Sequence, residues 1–389
     1  TAFGLALLIS YPVVWAHLLA AVVFVGQLVF VKSRETSQAR LARELFTAHP
    51  GMRIAVAGSY GKTSMKELLA TVLSEGKNVA ATPGNMNVVS SHLKFAQALT
   101  GDEDIVIVEF GEGKPGDVAR FSDIVRPSHA VITGLAPAHL DQYKTLEAAG
   151  KDVFSVASAV EHVYVNADSP ETESFMRGGY ETYGAAGALG WSVKHAKTDI
   201  SGTTFELHKK GRKTLKLQSK LVGLHHVGPL AFVAAFAMQT GMTEKQIRDG
   251  VAKTAPYEHR MQPYALNGAW ILDDTYNGNL EGIRAGTALL ASLKAKRKWY
   301  VTPGLVDQGQ DVAKIHREIG ALIAEARPDV VVLMQNSTTE HIIAGLETAG
   351  FKGELRIQDD PLEFYLQLGD IVAKGDVVLM QNDWTDNYK

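Results

Sequence analysis

The residues best suited to chemistry are Gly58, Ser59, Tyr60, Gly61, Lys62, Thr63 and Ser64, which follow the apolar run Ile54-Ala55-Val56-Ala57. A buried strand that enters a glycine turn and then a helix presents backbone N–H groups and a helix N-terminus to an anion. Lys62 has the reach for terminal phosphates, and the Thr63 hydroxyl suits Mg²⁺. The glycines meet the need for a tight turn close to a ligand. Only Ser59 and Tyr60 separate Gly58 from Gly61, fewer than in the common phosphate loop. A strand-to-helix turn carrying Lys-Thr by chance is the alternative reading. Two further candidates are Glu109, near the end of the apolar run Ile105–Phe110, and His139, beyond Ala130–Thr133. Ligands of open α/β sheets sit beyond the carboxyl ends of strands, and Lys62/Thr63, Glu109 and His139 occupy such ends. Thr63, Glu109 and His139 form a set able to hold Mg²⁺ with water or phosphate. Taken singly, the carboxylate reads equally as a cap or ion-pair partner, and the imidazole as a structural histidine.

The elements that must position these groups follow from the rest of the chain. At 389 residues it is long enough for two or three units. A formal charge of −3 gives no basic footprint, so nucleic acid is not an expected partner. The absence of cysteine excludes disulfides, thiolate metal sites and cysteine nucleophiles, and fits a reducing compartment. Residues 1–31 carry no charge, the run from Val13 to Val31 is nearly all apolar, and Lys32, Arg34, Arg40 and Arg43 follow. As a helix, that run spans roughly 28 Å, which predicts a transmembrane segment over 1–31. The positive-inside rule then puts the remainder on the cytoplasmic face of the membrane. A buried core helix is the alternative, since Pro12 shortens the clean span. A polar, helix-compatible connector over 32–50 follows. Strands are expected at 79–82, 105–110, 130–133 and 159–165, then an antiparallel add-on through 191–193, 203–207 and 214–217. Pro229 suits the first turn of an apolar helix over 230–240. Near Pro256–Met261 the pattern turns back to α/β, with strands at 270–272, 299–302, 330–334 and 376–380 and a helix over about 280–293. The expected fold is therefore α/β: a P-loop-type central parallel-sheet domain over 51–256 and a doubly wound C-terminal domain over 257–389.

In order, the stretches G-S-Y-G-K-T-S-M-K-E, T-P-G-N-M-N, V-I-V-E-F-G-E-G-K-P-G-D, V-I-T-G-L-A-P-A-H-L-D, H-R-M and L-D-D-T-Y-N-G-N resemble the Mur ligase family, and most closely its dipeptide-adding branch. The resemblance covers the chain from about Arg53 onward. It implies an ATP-dependent amide ligase of cell-wall precursor synthesis: ATP phosphorylates a carboxylate, an amine attacks the acyl phosphate, and ADP and phosphate leave. On the same resemblance, Lys62 and the amides of Ser59 to Thr63 bind the β- and γ-phosphates, while Thr63, Glu109 and His139 hold Mg²⁺. Asn85 lies near the transferred phosphoryl group, Arg260 reaches the nucleotide from the C-terminal domain, and Asp274 and Asn277 contact its ribose side. The implied partners are a muramoyl-peptide precursor, UDP- or lipid-linked, and an amine such as D-Ala-D-Ala. Splitting the groups over two domains implies closure around the substrates.

The sequence departs from the family in three places. Where members carry G-x-H-N-x-x-N, with the last Asn on adenine, this chain has Gly223-Leu224-His225-His226-Val227-Gly228-Pro229. Lys151 lies near, but two or three residues from, the place of a lysine that many members carbamylate to support a second metal ion. The usual N-terminal UDP-binding domain has no counterpart here, so an anchored enzyme acting on a lipid-linked precursor is one expectation. Gly278 and Leu280 also differ from the D-D-S-Y-N-A-N-P form. Competing readings are a folyl-polyglutamate or cyanophycin-type ligase, and a non-catalytic, membrane-anchored nucleotide-binding scaffold.

Overall fold

The computed structural model describes residues 2–26, 32–84, 86–136, 140–276, 278–306 and 308–382. Its first sheet contains β1 (Met52–Ala57), β2 (Val79–Ala81), β3 (Ile105–Glu109), β4 (His129–Ile132), β5 (His162–Asn166), β6 (Glu181–Gly184), β7 (Gly187–Ala188), β8 (Trp191–Asp199), β9 (Gly202–His208) and β10 (Leu215–Ser219). They pair in the order β10-β9-β8-β7-β6-β5-β4-β1-β3-β2. From β2 to β6 the pairing is parallel, and from β6 to β10 it is antiparallel. The expected add-on is thus an outward continuation of the same sheet.

Parallel strands covered on both faces read as continuous apolar runs, with alternate side chains feeding opposite cores. Ile54, Val56, Ile105, Ile107 and Val131 enter one core, which is closed by the helix α3 (Lys62–Leu73) and the helix Val227–Gln239. Ala55, Ala57, Val106, Val108 and Ile132 enter the other, beneath helices Val89–Ala98 and Asp117–Val125. Residues 32–48 form the helix α2 (Lys32–Ala48), which is docked on this second face and is no free connector. Ala42 and Phe46 are buried there, and Arg43 reaches Asp123 at 3.1 Å.

The second sheet contains β11 (Gln262–Leu266), β12 (Ala269–Asp274), β13 (Lys298–Thr302), β14 (Val330–Met334), β15 (Glu354–Gln358) and β16 (Val377–Gln381), in the order β11-β12-β16-β13-β14-β15. Only β11 runs antiparallel to its neighbour. Helices on both faces close two cores, so this is the expected doubly wound unit.

The N-terminal expectation requires correction. Residues 2–26 form the helix α1 (Ala2–Gly26), and among the described residues no helix is long and apolar enough to cross a membrane. The transmembrane segment over 1–31, the membrane as a partner and the placement on its cytoplasmic face are accordingly withdrawn.

Candidate functional site

The phosphate-type turn forms at the carboxyl end of β1 because its glycines adopt backbone conformations that other residues resist. Gly58 has φ +143° and Gly61, which caps α3, has φ +72°. A Cβ on Gly58 would lie 2.3 Å from Thr133 Oγ1 and 2.9 Å from the Gly134 carbonyl. The turn is therefore pressed against the end of β4, where the Thr133 hydroxyl also donates to the Tyr60 carbonyl. The amides of Lys62, Thr63 and Ser64 lie in the first turn of α3, where N–H groups lack intrahelical acceptors. The Ser59 amide, expected on phosphate, donates instead to the Gly134 carbonyl at 2.9 Å. That bond ties the turn to the segment after β4.

Thr63 and Glu109 meet: the Thr63 hydroxyl donates to Glu109 Oε1 at 3.0 Å. Glu109 is buried at the end of β3, and its Oε2 has no hydrogen-bond partner. This oxygen faces Lys66 Nζ at 3.3 Å; Lys66 is fully buried, also lies 3.3 Å from Glu67, and donates to the Gly84 carbonyl. A hydroxyl and a carboxylate side by side, one oxygen of which accepts no hydrogen bond, are hard oxygen ligands of the kind Mg²⁺ prefers. Among the described residues no group of three or more His, Asp or Glu is arranged for a metal. His139, Asn85 and Asn277 lie outside the described residues.

Arg260 and Asp274 lie across a cleft of about 430 Å³ from the turn, whose walls include Tyr60, Ser64, Asp168, His226, Arg260 and Tyr276. That volume falls in the range of small-molecule sites. The Arg260 guanidinium stacks on Tyr276 with 4.7 Å to the ring centroid. Asp274 ends β12 and accepts from the Met261 amide at 3.1 Å and from Gln381 Nε2 at 2.7 Å; Gln381 in turn accepts from the Tyr300 hydroxyl at 3.0 Å. Burial pushes the Asp274 carboxyl up to about 6, against the lowering effect of those hydrogen bonds. On the opposite wall, burial first and His225 second hold His226 neutral, and its buried Nε2 has no hydrogen-bond partner. Pro229 lines the same wall from the first turn of the helix Val227–Gln239.

Lys151 is not part of this cluster. It pairs with Glu147 at 2.6 Å on an exposed helical face and lines a separate depression beside Phe154 and Phe175. Gly278 has a steric cause: a Cβ there would lie 1.2 Å from Asn382 Oδ1. The sequence reading missed Lys66, Glu112, Gln381 and Asn382 as parts of the site. The available signal was the Lys62/Lys66 spacing, which puts both lysines on one face of α3.

Two family descriptions match the chain: the Mur ligase middle domain over residues 56–237 and the Mur ligase glutamate ligase domain over 259–381. The UDP-N-acetylmuramoyl-tripeptide–D-alanyl-D-alanine ligase of Mycobacterium leprae is 27% identical over 84% of this chain and 70% of its own length. The ligase of the same name from Mycobacterium tuberculosis is 28% identical over 77% of this chain; the chain spans 62% of that relative's length. The solved MurF ligase of Thermotoga maritima in complex with ADP superposes with a TM-score of 0.77 at 24% identity, covering 90% of this chain and 80% of that one. Together the two matched descriptions take in both sheets and both walls of the cleft, and the chain belongs to the Mur ligase family.

Proposed function

We propose that this chain is an ATP-dependent amide ligase that adds D-Ala-D-Ala to a muramoyl-tripeptide precursor through an acyl phosphate. The observation that carries the reading is the short phosphate turn facing Arg260 and Asp274 across one cleft, in a chain similar to ligases named for this reaction. The first-turn amides of α3 and Lys62 bind and orient the β- and γ-phosphates of ATP. Thr63 and Glu109 would hold Mg²⁺, which when bound neutralises phosphate charge; on the family resemblance His139 completes that set and Asn85 lies near the transferred phosphoryl group. Arg260 and Asp274 hold the nucleotide from the C-terminal side, with Asn277. Catalysis of phosphoryl transfer rests on positioning and charge neutralisation, which these groups supply. The amine nitrogen then attacks the acyl carbon, the C–O bond to phosphate breaks, and the amine loses a proton.

The test is turnover of ATP and Mg²⁺ with UDP-muramoyl-tripeptide and D-Ala-D-Ala, with the product identified by mass. A product heavier by one dipeptide, lost in Lys62→Ala, supports the reading. ATP binding with no product from this acceptor, a lipid-linked one or other amino acids refutes it in favour of a nucleotide-binding scaffold.

A further inference from the structure

The lysine expected to meet phosphate is already paired with a carboxylate. Lys62 Nζ donates to the Gly58 carbonyl at 2.7 Å and to Glu112 Oε1 at 2.8 Å, and it lies 2.7 Å from Glu112 Oε2 in a close ion pair. The side chains of Lys62 and Glu112 are 13% and 4% exposed. The carboxylate sits on a tightly packed segment. It follows Gly111, whose amide donates to the Asn87 carbonyl at 3.2 Å and where a Cβ would lie 2.9 Å from that same oxygen. Any exchange of partners therefore falls to Lys62, with its four-carbon stem.

We propose that Glu112 is a positioning residue that competes with the terminal phosphates of the nucleotide for Lys62, so that nucleotide entry requires transfer of the lysine from carboxylate to phosphate. This rests on the nucleotide reading of the site given above. A simple structural ion pair holds its partner in every state; here the partner is the side chain the phosphate must recruit. Glu112 lies within the stretch V-I-V-E-F-G-E-G-K-P-G-D, where neither the residue pattern nor the resemblance gave it a role. Its effect is to lower affinity for nucleotide while holding Lys62 in register with the first turn of α3.

The experiment measures the affinity of a non-hydrolysable ATP analogue, with Mg²⁺, for the full chain and its Glu112→Gln variant, alongside KM for ATP and kcat. Glu112→Gln is expected to bind the analogue at least tenfold tighter, a gain of about 1.4 kcal/mol, and to lower KM for ATP without raising kcat. In a Lys62→Met background the same substitution should change affinity less than threefold, because its effect runs through the lysine. Unchanged or weaker binding by Glu112→Gln, or an equal gain without Lys62, overturns the proposal. If Glu112→Gln does not fold, Glu112→Asp decides: its shorter side chain should tighten binding at least threefold, and a smaller effect overturns the idea. Wild-type binding separates the two claims. Analogue bound by wild type and no better by the variants defeats only the role of Glu112. No binding by wild type defeats the nucleotide reading and this inference together.

Discussion

Replacement of Lys66 by methionine should be among the most damaging single changes in the central sheet. The side chain is fully buried, its ammonium lies 3.3 Å from both Glu109 and Glu67, and it donates to the Gly84 carbonyl. Methionine fills a similar volume without the charge, which leaves Glu109, 2% exposed, with the Thr63 hydroxyl as its remaining side-chain partner. Breaking a buried ion pair from one side costs about 3–5 kcal/mol. Glu109→Gln alone should be milder, since Glu67 still faces the ammonium. The double variant should then recover at least ~2 kcal/mol relative to the sum of the two. Because unfolding of a multidomain chain is not two-state, the suitable assay is hydrogen exchange read on peptides covering β1 and β3. A loss of 3–5 kcal/mol shortens protection there by roughly two to three and a half orders of magnitude. A single-variant cost below about 1 kcal/mol, or additivity within ~0.5 kcal/mol in the cycle, would refute the assignment of Lys66 as the counter-charge of Glu109.

Three further outcomes are expected. Gly58→Ala forces a Cβ to 2.3 Å from Thr133 Oγ1 at φ +143°; it should cost about 1–3 kcal/mol of strain and abolish detectable ADP binding by calorimetry, and ADP binding at wild-type strength would contradict the placement. The Asp274 carboxyl stays protonated in the native protein up to about 6, whereas an unfolded aspartate ionises near ~3.9. The native state therefore binds more protons between about pH 4 and 6, and this group's contribution falls as pH rises through that window. Comparing wild type with Asp274→Asn in melts at pH 4 and pH 7 should show a change of about 2–3 kcal/mol in their difference; parallel pH profiles would count against it. Glu103 shows the opposite sign. Despite burial, which raises it, hydrogen bonds from Thr100 and His49 hold its carboxyl below the usual carboxylate range. Its stabilisation is present above the unfolded value near ~4.3 and is lost as pH falls through the lower native one. Glu103→Gln should thus cost about 1–3 kcal/mol at pH 7 and progressively less in acid, as followed by melting temperature.

The parts of the fold that were legible in the sequence are those where one local pattern suffices. β1, β3, β4, β13, β14 and β16 are short apolar runs bounded by turns, because both their faces are covered. The turn at Gly58–Ser64 was legible since backbone conformation and anion contact both demand particular residues. β11 and β15 were missed for the converse reason. At the edges of the second sheet they are partly exposed and carry mixed side chains such as Glu354, Arg356 and Gln358. The N-terminal span misled because apolar length alone carried the inference. In the site, Lys62, Thr63 and Glu109 came from motif and strand-end position. That Lys62 pairs with Glu112, Lys66 with Glu109, and Asp274 with Gln381 is a matter of register between distant strands and helices, which no window of sequence contains. Lys151 matched a regional expectation, yet its helix presents it to solvent.

The pairing of both α3 lysines with carboxylates from the end of β3 bears on how the protein exists without ligands. A site destined for polyphosphate and a divalent cation would, if bare, bring together unbalanced charges whose mutual repulsion splays the loops apart. Here both α3 lysines carry counter-ions from within the chain, which hold the turn, the end of β3 and the first turn of α3 in register. Ligands then enter by substitution, taking over contacts one at a time, and the site has no need to assemble from a disordered state. Around the turn, ligand entry is thereby an exchange in the ownership of charges.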